Sequence, residues 1–347
     1  MKSNLSIIDA DSLVYLIAYN YKDVRVRSSA LNSLDDFIMG ILESNYSKHY
    51  FGFFGKINGA KNFRYDIAKT KPYKGTRPEK EKWFTYWEPI LKNHMEKVWK
   101  FTPVEYVEAD DMCTLYATRF KGDPRFGKIV ICSPDKDLKQ AGGFWHYDYK
   151  KRESVYITEE EGDRNLYYQC VLGDGSDNIP GLIGCGKGAA EKFKNELALV
   201  DSKKYKEHTL NYFKTYLHET LPAKQQKSAE KAYLASYKVM HGIKRYNKKL
   251  KDAALMSFRA GGKMFTPKKD DYYKDVFEEM YSLVYMLRTE KELLPIWKDH
   301  KFIEPLEEKY MDWDEIDEKV ELIQGDELID EFDEDLDFLI NDDFEDI

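Results

Sequence analysis

The chain has 347 residues, 42% of them hydrophobic and 15% aromatic, enough for one large domain with an appendage or for two domains. No run of eighteen apolar residues is present to span a bilayer, and Met1–Asn4 lead straight into a strand-like segment without a secretory signal, so a cytoplasmic protein with no membrane partner is expected. The net charge of −8 is uneven: residues 326–347 hold twelve Asp or Glu and no Lys or Arg, whereas residues 56–82 hold nine Lys or Arg against three acids and residues 222–269 thirteen against two.

In chain order, Leu5–Asp9 reads as a short buried strand and Ser12–Tyr21 as a helix. Leu34–Leu42 has apolar residues at helical spacing, and His49–Phe54 is aromatic and strand-like. A lysine-rich stretch from Lys56 to Lys82 is too polar for core, and Trp83–Trp99 is helical again. Val104–Val107 reads as a strand leading to a helix at Asp110–Phe120, Lys128–Cys132 as a buried strand, and Phe144–Ile157 as an antiparallel hairpin. Such alternation predicts an α/β sheet with helices on both faces. In open sheets of this kind ligands bind outside the carboxyl ends of the strands. The four cysteines, Cys113, Cys132, Cys170 and Cys185, lie far apart and form no C-x-x-C pair, which predicts buried free thiols.

The acids fall where that rule makes them informative. Asp9 ends the first strand and Asp11 follows it. Glu108 follows Val104–Val107, with Asp110 and Asp111 opening the next helix. Asp135 and Asp137 come after Lys128–Cys132, and Asp174 and Asp177 after a helical run ending at Leu172. Any one of these alone reads as a helix or turn cap. Converging carboxylates repel one another unless hard divalent cations neutralise them, and two such ions can clamp the attacking and leaving oxygens of a phosphodiester. A basic body suits the same polyanionic substrate, although a solvated lysine surface would have the same composition.

The run Gly173-Asp174-Gly175-Ser176-Asp177-Asn178 continues into glycines at 181, 184, 186 and 188 around Lys187. Such a turn lets backbone N–H groups approach a phosphate, and a helix beginning at about Lys187 adds a favourable dipole. The device grips one backbone phosphate without reading bases.

The Gly173–Ala190 run resembles the signature of the flap-endonuclease superfamily, which includes bacteriophage 5′-to-3′ exonucleases and the exonuclease domain of bacterial DNA polymerase I. Ile8-Asp9, Val107-Glu108-Ala109-Asp110-Asp111 and Ser133-Pro134-Asp135-Lys136-Asp137 follow the family's order, and the resemblance spans roughly residues 5–290. It implies a PIN-like core at 1–172, a mainly parallel twisted sheet flanked by helices, with a helical arch at about 56–99. A helix–hairpin–helix (H3TH) module and basic helices would occupy 173–300, with a K⁺ ion at the hairpin, and an acidic, partly disordered tail 301–347. Asp9, Glu108 and Asp110 would bind a first Mg²⁺, with Mn²⁺ as substitute. Asp110, Asp135, Asp137 and Asp174 would bind a second, and Asp111 and Asp177 would support both. Lys71-Pro72-Tyr73-Lys74-Gly75-Thr76-Arg77 is similar to the family's Tyr-Lys-x-x-Arg motif, which gives Lys74 and Arg77 contacts to the scissile phosphate. Tyr73 would stack on a base, and Arg64, Gly184, Gly186 and Lys187 would contact the backbone.

One departure stands out. Family members carry a metal-binding Asp after the second strand, but Phe53-Phe54-Gly55-Lys56-Ile57-Asn58-Gly59 has no acid and places Lys56 there. Asp11 could supply the lost charge, or the Lys56 ammonium could replace part of a metal ion. Two activities follow: a 5′ nuclease acting on 5′ ends, flaps, nicks or RNA–DNA duplexes in replication or repair, or a family member that binds branched DNA and cuts poorly. The tail mixes acids with Leu328, Phe332, Leu336, Phe338 and Phe344, a composition that folds onto a partner such as a replication protein, covers the chain's own DNA channel, or only solubilises.

Overall fold

A computed structural model describes residues 2–59, 61–220, 258–260, 263–265, 272–293 and 309–310. The chain begins in the middle of its main sheet. The first strand, β1 (Asn4–Asp9), has parallel neighbours on both sides, β2 (Ser47–Gly55) and β4 (Ile129–Cys132). Both of its faces are covered, so Leu5, Ile7 and Ile8 are fully buried, and a continuous apolar run is what such a strand needs. Parallel β3 (Thr102–Val104) extends the sheet beyond β2, and β5 (Phe144–Asp148) extends it beyond β4. Antiparallel β6 (Glu153–Ile157) follows β5 in the expected hairpin. The order β3-β2-β1-β4-β5-β6 reverses between β1 and β4, which makes that boundary the switch point of the sheet.

Side chains alternate across the sheet with the period of two that a strand imposes. Tyr50 and Phe54 pack with α1 (Asp11–Asn20), α2 (Arg27–Ser44) and α4 (Lys82–Lys97). Phe51 and Phe53 face the other way onto Tyr116 of α5 (Ala109–Arg119), at ring separations of 4.8 and 4.9 Å. The mainly parallel, helix-flanked sheet read from the sequence is the sheet observed. The third strand lies upstream of the expected Val104–Val107, at Thr102–Val104. It stops at Val104, and Glu108 becomes the N-cap of α5, its N–H donating to the Asp111 carboxylate at 3.1 Å in a capping box.

A helical layer follows. α6 (Glu159–Leu172), α7 (Lys187–Leu197), α8 (Tyr205–Thr215) and α9 (Tyr272–Val284) bury Cys170, Phe193, Tyr205, Phe213 and Phe277 together. Glu279 of α9 holds the 69–70 segment by accepting both backbone N–H groups at 2.6 Å. The helix expected through Arg288 ends at Val284. Of the basic helices expected over 222–269, only 258–260 and 263–265 are described, and these pair instead as antiparallel strands β7 and β8. Of the acidic tail expected over 301–347, only β9 (Lys309–Tyr310) is described, and it pairs antiparallel with β2; the rest lies outside the described residues. All four cysteines are free, and Cys113, Cys132 and Cys170 are buried. Among the described residues no helix is long and apolar enough to cross a membrane.

Gly52 of β2 is glycine because the ring of Phe101 lies against its backbone where a Cβ would project. Gly52→Ala should lower stability by about 1–3 kcal/mol through overpacking, measured as an earlier urea midpoint with an unchanged slope.

Candidate active site

Carboxylates from four chain segments line one cavity of about 800 Å³ at the switch point. Asp9 stands at the end of β1, buried, with its carboxylate accepting from the Ser133 hydroxyl at 2.9 Å and its backbone carbonyl from Tyr149 at 3.0 Å. Glu108 and Asp110 come from the start of α5, and Asp135 and Asp137 from the turn after β4. Asp174 and Asp177 lie in a turn closed by mutual backbone bonds between Asp174 and Ile179. The turn begins and ends on Gly173 and Gly181, both at positive φ, with each backbone occupying the space a Cβ of the other would need. Glycine is required at both places.

The acids are crowded, and their ionisation shows it. Burial, then the nearby Asp11 charge, pushes the Asp9 carboxyl up to about 7. Burial and a hydrogen bond with Asp174 push Asp137 up to about 8. Burial, with Glu108 and Asp111 beside it, raises Asp110 well above the usual carboxylate range. Asp135 is open at the mouth but packed on its inner side, and that burial raises it too, with Asp174 and Asp177 adding repulsion. Two carboxyls go the other way. Burial opposes ionisation of Glu108, but Lys74 and Arg64 outweigh it and hold its carboxyl low. For Asp174, burial is outweighed by hydrogen bonds from Asp137 and Ser176.

The cations expected to meet a phosphate are here engaged with these acids. Lys74 binds Glu108 and lies 3.9 Å from Asp177, while Arg77 reaches Asp177 at 2.7 Å. The loop that carries them is keyed to the acidic turn, because Lys74 N–H donates to the Asp177 carbonyl at 2.9 Å and Asn178 donates to the Pro72 carbonyl at 2.8 Å.

Several expected roles need correction. Tyr73 is buried, its hydroxyl donating towards Glu108 and Asp177 at 2.7 Å each and its ring edge-on to Tyr65, so no face is presented to a base. Arg64 is 2% exposed and is no phosphate contact in this arrangement; its guanidinium holds Asp111 at 2.6 and 2.8 Å. Asp111 is fully buried with both oxygens used in this way and does not line the cavity. Lys56 turns to Glu105 at 3.1 Å, and Asp11 is tied to Lys92 at 3.0 Å and to Gly55 N–H at 2.9 Å. Gly184, Gly186 and the exposed Lys187 lie outside this cavity, at the start of α7. The sequence reading missed Ser133, Glu88 and Lys92. The i, i+4 spacing of Glu88 and Lys92 on one amphipathic helix was the available signal.

The donor set is all oxygen, with several carboxyls raised by burial and then by repulsion, which fits a hard divalent cation better than thiolate- or imidazole-seeking metals. As the side chains stand, no group of three or more His, Cys, Asp or Glu among the described residues is arranged to hold a metal ion. Lys74 and Arg77 neutralise Glu108 and Asp177.

The fold and site define an α/β protein with a polyacidic centre at its switch point. Residues 4–161 match the 5′-3′ exonuclease N-terminal, resolvase-like domain. DNA polymerase I of Borreliella burgdorferi is 29% identical over 108 residues, covering 28% of this chain and only 12% of that protein. The 5′-exonuclease of T5 with zinc bound is similar at a TM-score of 0.48 and 17% identity, over 81% of this chain and 100% of the other. The catalytic core of Rad2 in complex with DNA substrate is similar at 0.37 and 12%, over 85% and 93%.

Two outcomes are expected. Asp9 and Asp137 are raised from 3.8 to about 7 and about 8, so the folded state binds more protons than the unfolded chain across that window. In EDTA, stability should therefore fall as pH rises from about 5 to 8, read from thermal melts. Arg64→Met leaves a buried carboxylate unpaired and should cost about 3–5 kcal/mol in urea unfolding.

Proposed function

We propose that the protein is a divalent-metal-dependent 5′ nuclease, hydrolysing phosphodiester bonds at 5′ ends, flaps or nicks in DNA and in RNA–DNA duplexes during replication or repair. The observation that carries this reading is the convergence of Asp9, Glu108, Asp110, Asp135, Asp137 and Asp174 on one cavity that also holds Lys74 and Arg77. The match of residues 4–161 to the 5′-3′ exonuclease N-terminal, resolvase-like domain supports it.

Asp9, Glu108 and Asp110 would hold one ion, and Asp110, Asp135, Asp137 and Asp174 a second. Mg²⁺ bound there, or Mn²⁺ in its place, supplies an acidified water and charge neutralisation at the phosphate. The remaining work belongs to the chain. Lys74 and Arg77 exchange Glu108 and Asp177 for phosphate oxygens, which brings their donors onto charge that develops in the transition state. Glu108 released from Lys74 keeps its contact with the buried Arg64 guanidinium at 3.3 Å. Away from the cavity, Gly184, Gly186 and Lys187 at the start of α7 present backbone N–H groups and an ammonium to a duplex phosphate.

A labelled 5′-flap duplex incubated with Mg²⁺ or Mn²⁺ tests this. The wild type should cut only with the ion, and Asp135→Asn and Arg77→Ala should each slow cleavage by at least about 100-fold. Affinity for the duplex should fall steeply with salt. Tight binding of the flap with no ion-dependent cutting would sink the nuclease reading and leave a DNA-binding module.

A further inference from the structure

The end of β2 adjoins the end of β1, yet it brings no carboxylate to the cavity, since the strand finishes at Gly55 and Lys56 turns to Glu105. Lys92 stands at that corner instead, on the buried side of α4, with a side chain only 6% exposed. Its ammonium donates to the Gly55 carbonyl at 2.7 Å and to Glu88 at 2.9 Å, and lies 3.0 Å from Asp11. Two hydrogen bonds and one ion pair thus surround the ammonium, which is turned to the protein and away from a substrate. Asp11 is fixed in turn. One oxygen faces Lys92 and the other accepts the Gly55 N–H at 2.9 Å, while 45% of its side chain stays open to the cavity. Glu88 is shared with the more exposed Lys80. Two acids thus face two cations at this corner, with Asp9 only two residues from Asp11 along the chain.

We propose that Lys92 is a resident cation that neutralises Asp11 and thereby sets the affinity of the neighbouring acids for divalent ions. Asp11 is a positioning residue for Lys92 and not a metal ligand. This rests on the metal-dependent reading above and deepens it. A fixed positive charge at one corner repels an incoming dication, so the corner that lacks a carboxylate is also the corner that limits how tightly an ion is held. Removing the ammonium frees Asp11 and adds a net negative charge to the cavity. Neutralising Asp11 leaves the ammonium unopposed there and has the contrary effect.

Calorimetric titration of the full chain with Mn²⁺, without DNA, tests this in wild type, Lys92→Met, Asp11→Asn and the double variant. Lys92→Met should tighten binding by about 3- to 10-fold and Asp11→Asn should weaken it by a similar factor, with the double variant returning close to wild type. The number of ions bound should not change in any of them. A Lys92 that only supports the fold would shift the melting temperature and leave ion affinity where it was. Should Lys92→Met fail to fold, Asp11→Asn decides alone, because its side chain is nearly half exposed and keeps an oxygen for the ammonium. Loss of an ion in Asp11→Asn, or unaltered affinity in both single variants, would overturn the proposal. A wild type that takes up no Mn²⁺ would bring down the metal-dependent reading itself, and this inference with it.

Discussion

The Arg64 guanidinium and the Asp111 carboxylate meet at 2.6 and 2.8 Å in the interior, and the placing of the site depends on that contact. A desolvated ion pair of this kind adds little net stability, because removing both charges from water offsets most of their attraction. What it fixes is geometry. The remaining donors of Arg64 take the carbonyls of Leu283 and Tyr285 at 3.0 and 2.8 Å and the Glu108 carboxylate at 3.3 Å, and Asp111 accepts from the N–H groups of Leu287 and Glu108 at 3.0 and 3.1 Å. Three pieces of chain are joined there: α3 (Arg64–Ile67), the start of α5, and the segment that leaves α9. α5 carries Glu108 and Asp110, and the loop leaving α3 carries Lys74 and Arg77. Gln140 repeats the device nearby by donating to the Val284 carbonyl and accepting from Met286 N–H.

Around that node the charges divide by mobility. Arg64 and Lys92 are buried, with their hydrogens committed to the protein, so they act as fixed background field. Lys74 and Arg77 are more open and are paired with Glu108 and Asp177, partners that a phosphodiester could replace. The acids divide as well. Glu108 and Asp174 have their charge stabilised by neighbours, whereas Asp9, Asp110 and Asp137 are held towards the protonated form by burial and mutual repulsion. Crowding of this degree is costly to fold around, and it persists because rigid elements deliver each carboxylate from its own direction.

Much of this was legible in the sequence, for reasons that can be named. Leu5–Asp9 was readable because a strand buried on both faces must be apolar throughout, and the switch-point rule then made Asp9, Asp135 and Asp137 candidates for one site. Gly181 was readable as part of a turn with Gly184, Gly186 and Gly188, but its close backbone meeting with Gly173 shows only in the fold. The misreadings share one cause, which is that sequence gives residue type and spacing but not burial. Arg64 and Tyr73 have the chemistry of nucleic-acid contacts, yet both are turned inward by partners distant along the chain, Leu283 for the one and Asp177 for the other. Lys56 occupied the suspicious position in the string, while the cation that reaches that corner is Lys92, brought by a helix 36 residues later. No local pattern encodes a meeting of that kind.

The site is also a seam. The sheet contributes Asp9 and the acids after β4, and the helical layer contributes the turn between α6 and α7 with Asp174 and Asp177. The loop between α3 and α4 crosses from one to the other. Glu279 pins it at 69–70, and the 177–178 backbone and amide contacts pin it again at Pro72 and Lys74. A loop held at these points has little freedom except at the side chains of Lys74 and Arg77, and those are the groups that the proposed chemistry would pass from carboxylate to phosphate. Preorganisation therefore resides in the backbone while adaptability resides in two cationic side chains. That division explains how so many like charges can be kept within one cavity without the fold opening to relieve them.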